Sequence, residues 1–263
     1  MMQPSSTANQ LCITPLLGIP YVKAGDDLAW ILLQALENME ITLEDGHILV
    51  LAQKIVSKAE GRYVDLATVT PSKDARELAA KTGKDPRLVT LILQESNLVI
   101  RTREELIIVE HRLGFICANA GIDQSNVGLA DRDSGEWVLL LPENPDESAR
   151  VIREKIKNET GVRIGVQIID SHGRAWRMGV VGVTIGLSGT PGLVNMRGHP
   201  DLFGYKLRVT EIGAADELAA AASLVMGQAA EGVPAVHVSG FPYPLREAAL
   251  SELLRPRELD LFR

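Results

Sequence analysis

The length of its apolar runs constrains this chain more than any other feature. The clearest, residues 47–52 (HILVLA) and 162–169 (VRIGVQII), are strand-sized. Runs of this length suit buried strands, whereas a membrane span needs about 18 consecutive apolar residues. The runs are interleaved with amphipathic segments, but not in the regular strand–helix alternation of a doubly wound parallel sheet. The expected fold class is therefore α+β, with mixed sheets and helices. Glycine-rich returns after residues 170 and 187 suggest that the chain crosses back, in two intertwined lobes without a linker.

Local signals place the elements. Asp26 is expected to cap a helix in which Leu28, Ile31, Leu32, Ala35 and Leu36 recur at helical spacing. Asp45-Gly46 breaks the chain before the first long strand, and residues 53–62 (QKIVSKAEGR) read as a polar loop. A helix is expected over 74–81. Asp85 followed by Pro86 opens another, running to about residue 95. Strands are expected at 98–101, 106–110, 115–118 and 137–141, the last closed by Pro142. Asp146 is expected to cap an amphipathic helix that Gly161 stops, and the next strand delivers Asp170 at its end. Then come a strand at 179–187, a Gly/Pro-rich loop to 205, an alanine-rich helix over 215–226, a strand at 234–238 and a short helix near 245–254.

Composition narrows the function classes. Lys and Arg number 27 against 34 Asp and Glu, for a net charge of −7, which argues against a nonspecific nucleic-acid binder. The 46% hydrophobic content excludes a disordered chain. Aromatics at 4% leave an aliphatic core and few platforms for stacking bases. Two cysteines far apart, Cys12 and Cys117, form no disulfide framework or zinc motif. The N-terminus lacks the basic and apolar regions of a signal peptide. A cytoplasmic protein with a frayed N-terminal tail and no membrane partner is expected.

Neither a phosphate-binding P-loop nor a GxGxxG fingerprint is present, nor His-Glu-x-x-His or Gly-x-Ser-x-Gly. Chemistry must come from less standard clusters. Gln53, Lys54, Ser57 and Lys58 could hold phosphate oxygens, or form a solvated loop. Residues 118–126 (ANAGIDQSN) offer oxygen donors for a hard cation such as Mg²⁺ or Mn²⁺; the same residues favour turns. Residues 170–177 (DSHGRAWR) place an acid after an apolar strand and add two arginines suited to carboxylate or phosphate. His172 by itself reads as a structural histidine. Residues 226–233 (MGQAAEGV) read as a helix C-cap, and Leu17, Gly18, Ile19 and Pro20 as a turn. Acids and amides for a cation, with basic residues for phosphates, point to phosphoryl transfer.

At these clusters the chain resembles the coenzyme F420-0:γ-L-glutamate ligases of deazaflavin coenzyme biosynthesis. The stretches that carry the resemblance are KIVSKAEGR (54–62), DPRLVTLILQE (85–95), GFICANAGIDQSNV (114–127), LLPENPDES (140–148), DSHGRAWR (170–177) and LRVTEIGAADELAAAASLVM (207–226). The resemblance implies one ligase domain over 1–263, with a family-specific fold that is not Rossmann, P-loop or ATP-grasp. It implies GTP-dependent addition of L-glutamate to F420-0 through an acyl phosphate, releasing GDP and phosphate, with further γ-linked glutamates. Mg²⁺ or Mn²⁺, a helper K⁺ and a homodimer are implied with it.

Carried over by position, Asp123 and Asp170 match metal ligands, and Ser171 and Gln228 match ligands of a second metal. The nucleotide would meet Leu17, Gly18, Ile19, Pro20, Gln53, Lys54, Lys58 and Asn126. It would also meet Met226, Gly227, Gln228, Ala229, Ala230, Glu231, Gly232 and Val233. Asp123, Asp170 and Arg174 are the expected catalytic set, and Arg174, Arg177, His172 and Arg197 are candidates to grip anionic groups of the substrate. Gln228 stands where the family often has an acid, and Ser171 where it often has threonine. Some homologues continue into a nitroreductase-like domain, which is not expected in this chain. Two other readings stay open: a non-catalytic deazaflavin- or nucleotide-binding protein, and a related ligase acting on another substrate.

Overall fold

The structure, a computed structural model, describes residues 10–127 and 136–261. The expected frayed tail at residues 1–9 lies outside the described residues. In chain order the first elements are β1 (Cys12–Pro15), α1 (Leu28–Asn38), β2 (Ile48–Ala52), α2 (Gln53–Ala59) and β3 (Tyr63–Asp65). Next come α3 (Lys73–Thr82), α4 (Pro86–Gln94), β4 (Ser96–Arg103), β5 (Leu106–His111), β6 (Ile116–Ala118) and β7 (Trp137–Leu139). The remainder is α5 (Pro145–Thr160), β8 (Gly165–Arg174), β9 (Arg177–Ser188), β10 (Val194–Asn195), β11 (Glu211–Ile212), α6 (Ala214–Met226) and β12 (Ala235–Ser239). Helices with mixed and antiparallel sheets make the fold α+β, as expected.

The central sheet has the order β1-β12-β2-β8-β9, with β2 and β8 parallel and the other neighbours antiparallel. A second sheet joins β4, β5 and β6, and two ribbons pair β3 with β7 and β10 with β11. Both faces of the central sheet are covered. Leu49, Leu51, Val166 and Ile168 face the larger core with α1 and α5, while Ile48, Val50, Ile169, Val236 and Val238 pack against Leu218, Ala219, Ala222 and Met226 of α6. Strand alternation splits neighbouring residues between the faces. Gly182 lets α6 approach closely, because a Cβ there would run into the Ala219 carbonyl and the Ser223 side chain.

Several expectations are corrected. Residues 53–59 are helix α2, not loop: Ile55, Val56 and Ser57 turn inward while Lys54 and Lys58, one turn apart, share a face. The cap of α1 is Asp27, whose carboxylate accepts from the Ala29 and Trp30 amides; Asp26 instead accepts from Lys23 N at 2.7 Å. Asn144 caps α5, with Pro145 in the first turn. Asp146 accepts from Leu187 N (2.8 Å) and Leu250 N, tying the helix start to β9 and to the C-terminal segment. Near the C-terminus only a single 3₁₀ turn, Leu250–Glu252, lies within the expected helix. Asp170 does not end its strand, because β9 pairs with β8 through Arg174 and carries it onward.

Candidate active site

Topology brings the separated clusters to one end of the central sheet. Ala52 and Ile169 are partners in the parallel β2–β8 pair, so α2 and Asp170 leave neighbouring strands at the same level. β12 runs the other way and starts there: Ala52 N donates to Pro234 O at 2.8 Å, and Leu16 N to Ala235 O at 3.0 Å. Leu17 to Pro20, the start of α2, Asp170 and the loop 227–233 therefore share one end. The segment carrying Asp123 arrives from β6 through a tight turn in which Asn119 and Ala120 take positive φ. Asp123 is held by backbone bonds to Leu139 in both directions, each 2.9 Å.

Asp123 is the centre of one group. Gln53 Nε2 donates to its Oδ2 at 2.5 Å, and Lys54 Nζ lies 3.3 Å from its Oδ1 and from Ser125 Oγ. Ser57 Oγ donates to Gln53 Oε1 at 2.9 Å, which orients that amide from inside the core. Burial, aided by the negative charge of Asp170, pushes the Asp123 pKa up to about 6 despite the Lys54 ammonium. Burial and the neighbouring Lys54 lower the pKa of Lys58, against the pull of Asp123.

Asp170 and Ser171 point to opposite faces of β8. Asp170 lies on the large-core side, with Oδ2 3.1 Å from His172 Nε2. Ser171 lies on the α6 side, where its Oγ donates to Gln228 Oε1 at 2.9 Å. Asn126 links the two sides, its Nδ2 donating to Ala229 O at 3.1 Å. Met226 is buried against the sheet, Gly227 caps α6, and Glu231 folds back to accept from Ala229 N at 2.7 Å. The Ser171–Gln228 bond shows that the expected pair is in contact.

No hydrogen bond among the described residues joins Arg174, Arg197 or Leu17 to these groups. Arg174 lies at the far end of β8, where its Nη2 donates to Met178 O at 3.4 Å. Arg197 is engaged by Asn195 and Glu211 on the β10–β11 ribbon. Leu17 is half-exposed, with its amide directed at Met39 Sδ, and Gly18 turns at positive φ. Sequence reasoning missed the column behind Asp170: the His172 ring lies 5.3 Å from Phe115, which stacks on His111 at 5.0 Å. No spacing rule joins residues 111, 115 and 172; the sheet does. Cys12 and Cys117 are both free thiols, and burial, reinforced by Asp170, pushes the Cys117 pKa up to about 12.

Among the described residues no cluster of three or more His, Cys, Asp or Glu forms a ready-made ligand cage. The donors present are two carboxylates, a hydroxyl and an amide oxygen, all hard oxygens of the kind Mg²⁺ and Mn²⁺ accept. Asp123 is a buried carboxylate whose charge Lys54 leaves under-compensated, and an added cation would relieve it. The residues fit such an ion. Beside two lysines, they make a site able to hold anionic oxygens and a hard cation together.

The family model described as F420-0:Gamma-glutamyl ligase matches residues 17–240. A coenzyme F420:L-glutamate ligase from Methanothermobacter thermautotrophicus is 48% identical over 248 residues, covering 94% of this chain and 96% of the relative. Relatives of the same name from Methanocaldococcus jannaschii and Archaeoglobus fulgidus are 43% and 41% identical, covering 94% and 95% of this chain and 95% and 96% of their own. The chain belongs to the F420-0:γ-glutamyl ligase family.

Proposed function

We propose that this chain joins L-glutamate to F420-0 at the expense of GTP, and adds further glutamates through γ-linkages. The observation that carries the reading is the family match over residues 17–240, a span that includes every cluster at the sheet end. A carboxylate oxygen of F420-0 attacks the γ-phosphorus, the bond to the β-phosphate oxygen breaks, and GDP leaves. The glutamate nitrogen then attacks the acyl carbon of the acyl phosphate. Inorganic phosphate departs, and the amine proton passes to solvent.

Lys54 and Lys58 offset phosphate charge from one face of α2. Asp123 and Asp170 would hold one Mg²⁺ or Mn²⁺, and Ser171 and Gln228, on the other face of β8, a second, with K⁺ as helper. Such cations, when bound, would offset negative charge on the phosphates. Arg174 steadies an anionic group of the substrate. The exposed apolar side chains Trp176, Met178, Leu202 and Phe203 support assembly as a homodimer. The two free thiols suit the cytoplasm, and among the described residues no helix is long and apolar enough to cross a membrane.

Mass spectrometry of products tests the reading, with purified protein, F420-0, L-glutamate, GTP and Mn²⁺ and each omitted in turn. The expected result is a glutamyl mass increment that needs every component, with a ladder if tails grow. Folded protein that yields no increment on active substrate refutes it.

A further inference from the structure

We infer that His172 is the positioning residue of Asp170: it fixes the carboxylate so that one oxygen stays available to a divalent cation. The inference rests on the cation reading of Asp170 given above, and it assigns a role to a side chain that the reading leaves idle.

Residues 170 and 172 share a face of β8 because strand side chains alternate. His172 Nε2 stands 3.1 Å from Asp170 Oδ2, and the two side chains are only 11% and 15% exposed. A bond so shielded meets little competition from water. It occupies Oδ2 and restrains the carboxylate about its Cβ–Cγ bond, leaving Oδ1 to point away from the imidazole.

The imidazole is itself held. Its ring lies against Phe115, with centroids 5.3 Å apart and planes at 47°. Phe115 stacks almost parallel on His111 at 5.0 Å. His111 is wholly buried, and its Nδ1 accepts from Leu113 N at 3.1 Å. That bond puts the ring proton on Nε2, the atom that lies 3.7 Å from Glu95 Oε2. Glu95 is anchored in turn by Arg112 Nε at 2.8 Å and Arg62 Nη2 at 3.3 Å. The column thus runs from an ion cluster at the end of α4, through the β5–β6 turn, to the carboxylate on β8. Filling space would need only a ring at position 172; positioning needs the N–H as well.

Two substitutions separate these roles. H172F keeps the ring and loses the bond, while H172Q keeps a terminal N–H at similar reach and loses the ring. The measurement is Mn²⁺ affinity of the nucleotide-free protein, read from the free-Mn²⁺ signal by electron paramagnetic resonance. The expected result is a loss of about 10–100-fold in H172F, with H172Q within about threefold of wild type. In turnover assays the H172F defect should appear as a raised KM for Mn²⁺, largely recovered at saturating metal.

Wild-type affinity in H172F overturns the inference, as does an H172Q protein that is folded and as impaired as H172F. D170N serves as the reference and should abolish the binding read here. Wild-type protein that binds no Mn²⁺, or D170N that binds normally, overturns the cation reading of Asp170 and the inference with it. Should H172F fail to fold, F115L carries the test: it leaves the N–H but frees the ring, so reduced affinity is expected and unchanged affinity overturns the idea.

Discussion

Removing the charge of Asp123 should stabilise the metal-free protein while abolishing ligation. In the folded chain burial, with Asp170 nearby, raises this carboxyl from 3.8 to about 6. Between those two values the folded state holds a proton that the unfolded state has released. Stability therefore falls as pH rises through that window, and above about pH 6 the charged Asp123 costs about 3 kcal/mol. Asp123→Asn removes the cost. The attraction of Lys54, which keeps Ser125 Oγ at 3.3 Å, is already contained in that figure, because it opposes the rise. The net gain at pH 8 should be about 3 kcal/mol, shrinking toward zero near pH 4. Urea unfolding with a chelator present, at several pH values, measures it. Mn²⁺ should reverse the order, since at about 1,000 times its Kd it adds about 4.1 kcal/mol to wild type alone. An Asp123→Asn protein less stable than wild type at pH 8, or an advantage that does not grow with pH, would refute the electrostatic account. Near-normal turnover by the variant would remove Asp123 from the cation site.

A second pH effect lies at the opposite end of the sheet. Burial, and His47 3.0 Å away, lower the His237 pKa from 6.5 to about 4, so stability present above about pH 6.5 is lost as pH falls toward 4, by up to about 3 kcal/mol. H237Q should flatten that slope in urea titrations, and an unchanged slope contradicts the assignment. Gly227 sits at φ 75, ψ −175, with the Glu231 side chain where a Cβ would go; G227A should cost about 1–3 kcal/mol in melting experiments and raise the KM for GTP. G182A forces α6 away from β9 and should cost about 1–3 kcal/mol; an unaltered melt would show slack in that contact. R174A should raise the KM for F420-0 about tenfold, as befits one charge-assisted hydrogen bond, and leave the GTP KM and the melting temperature alone.

Much of the fold was legible because its signals are local. Asp85-Pro86 sets the start of α4 through the side chain of the one and the fixed φ of the other. Gly161 and Gly227 end their helices at positive φ, and the runs at 47–52 and 162–169 became the adjoining strands β2 and β8. Choices between neighbours were less legible. Asp27 rather than Asp26, and Asn144 rather than Asp146, became caps because only one oxygen of each pair reaches the free amides. Helix α2 was hidden because Gln53, Lys54 and Lys58 face a polar site, leaving too few apolar positions to show a helical period.

The sequence by itself determined the element types wherever a cap, a breaker or an apolar period spoke, and it held the family resemblance, because those features need only near neighbours along the chain. The tertiary structure decided which distant groups meet. Only the parallel pairing of β2 with β8 sets Gln53 and Lys54 near Asp170, and only the turn after β6 swings Asp123 between them. Pairing with β9 carried β8 past Asp170, which put Asp170 and Ser171 on opposite faces and gave His172 its place beside the carboxylate. Such encounters depend on sheet order and register, which arise from side chains packing across the whole core and leave no mark at any single position.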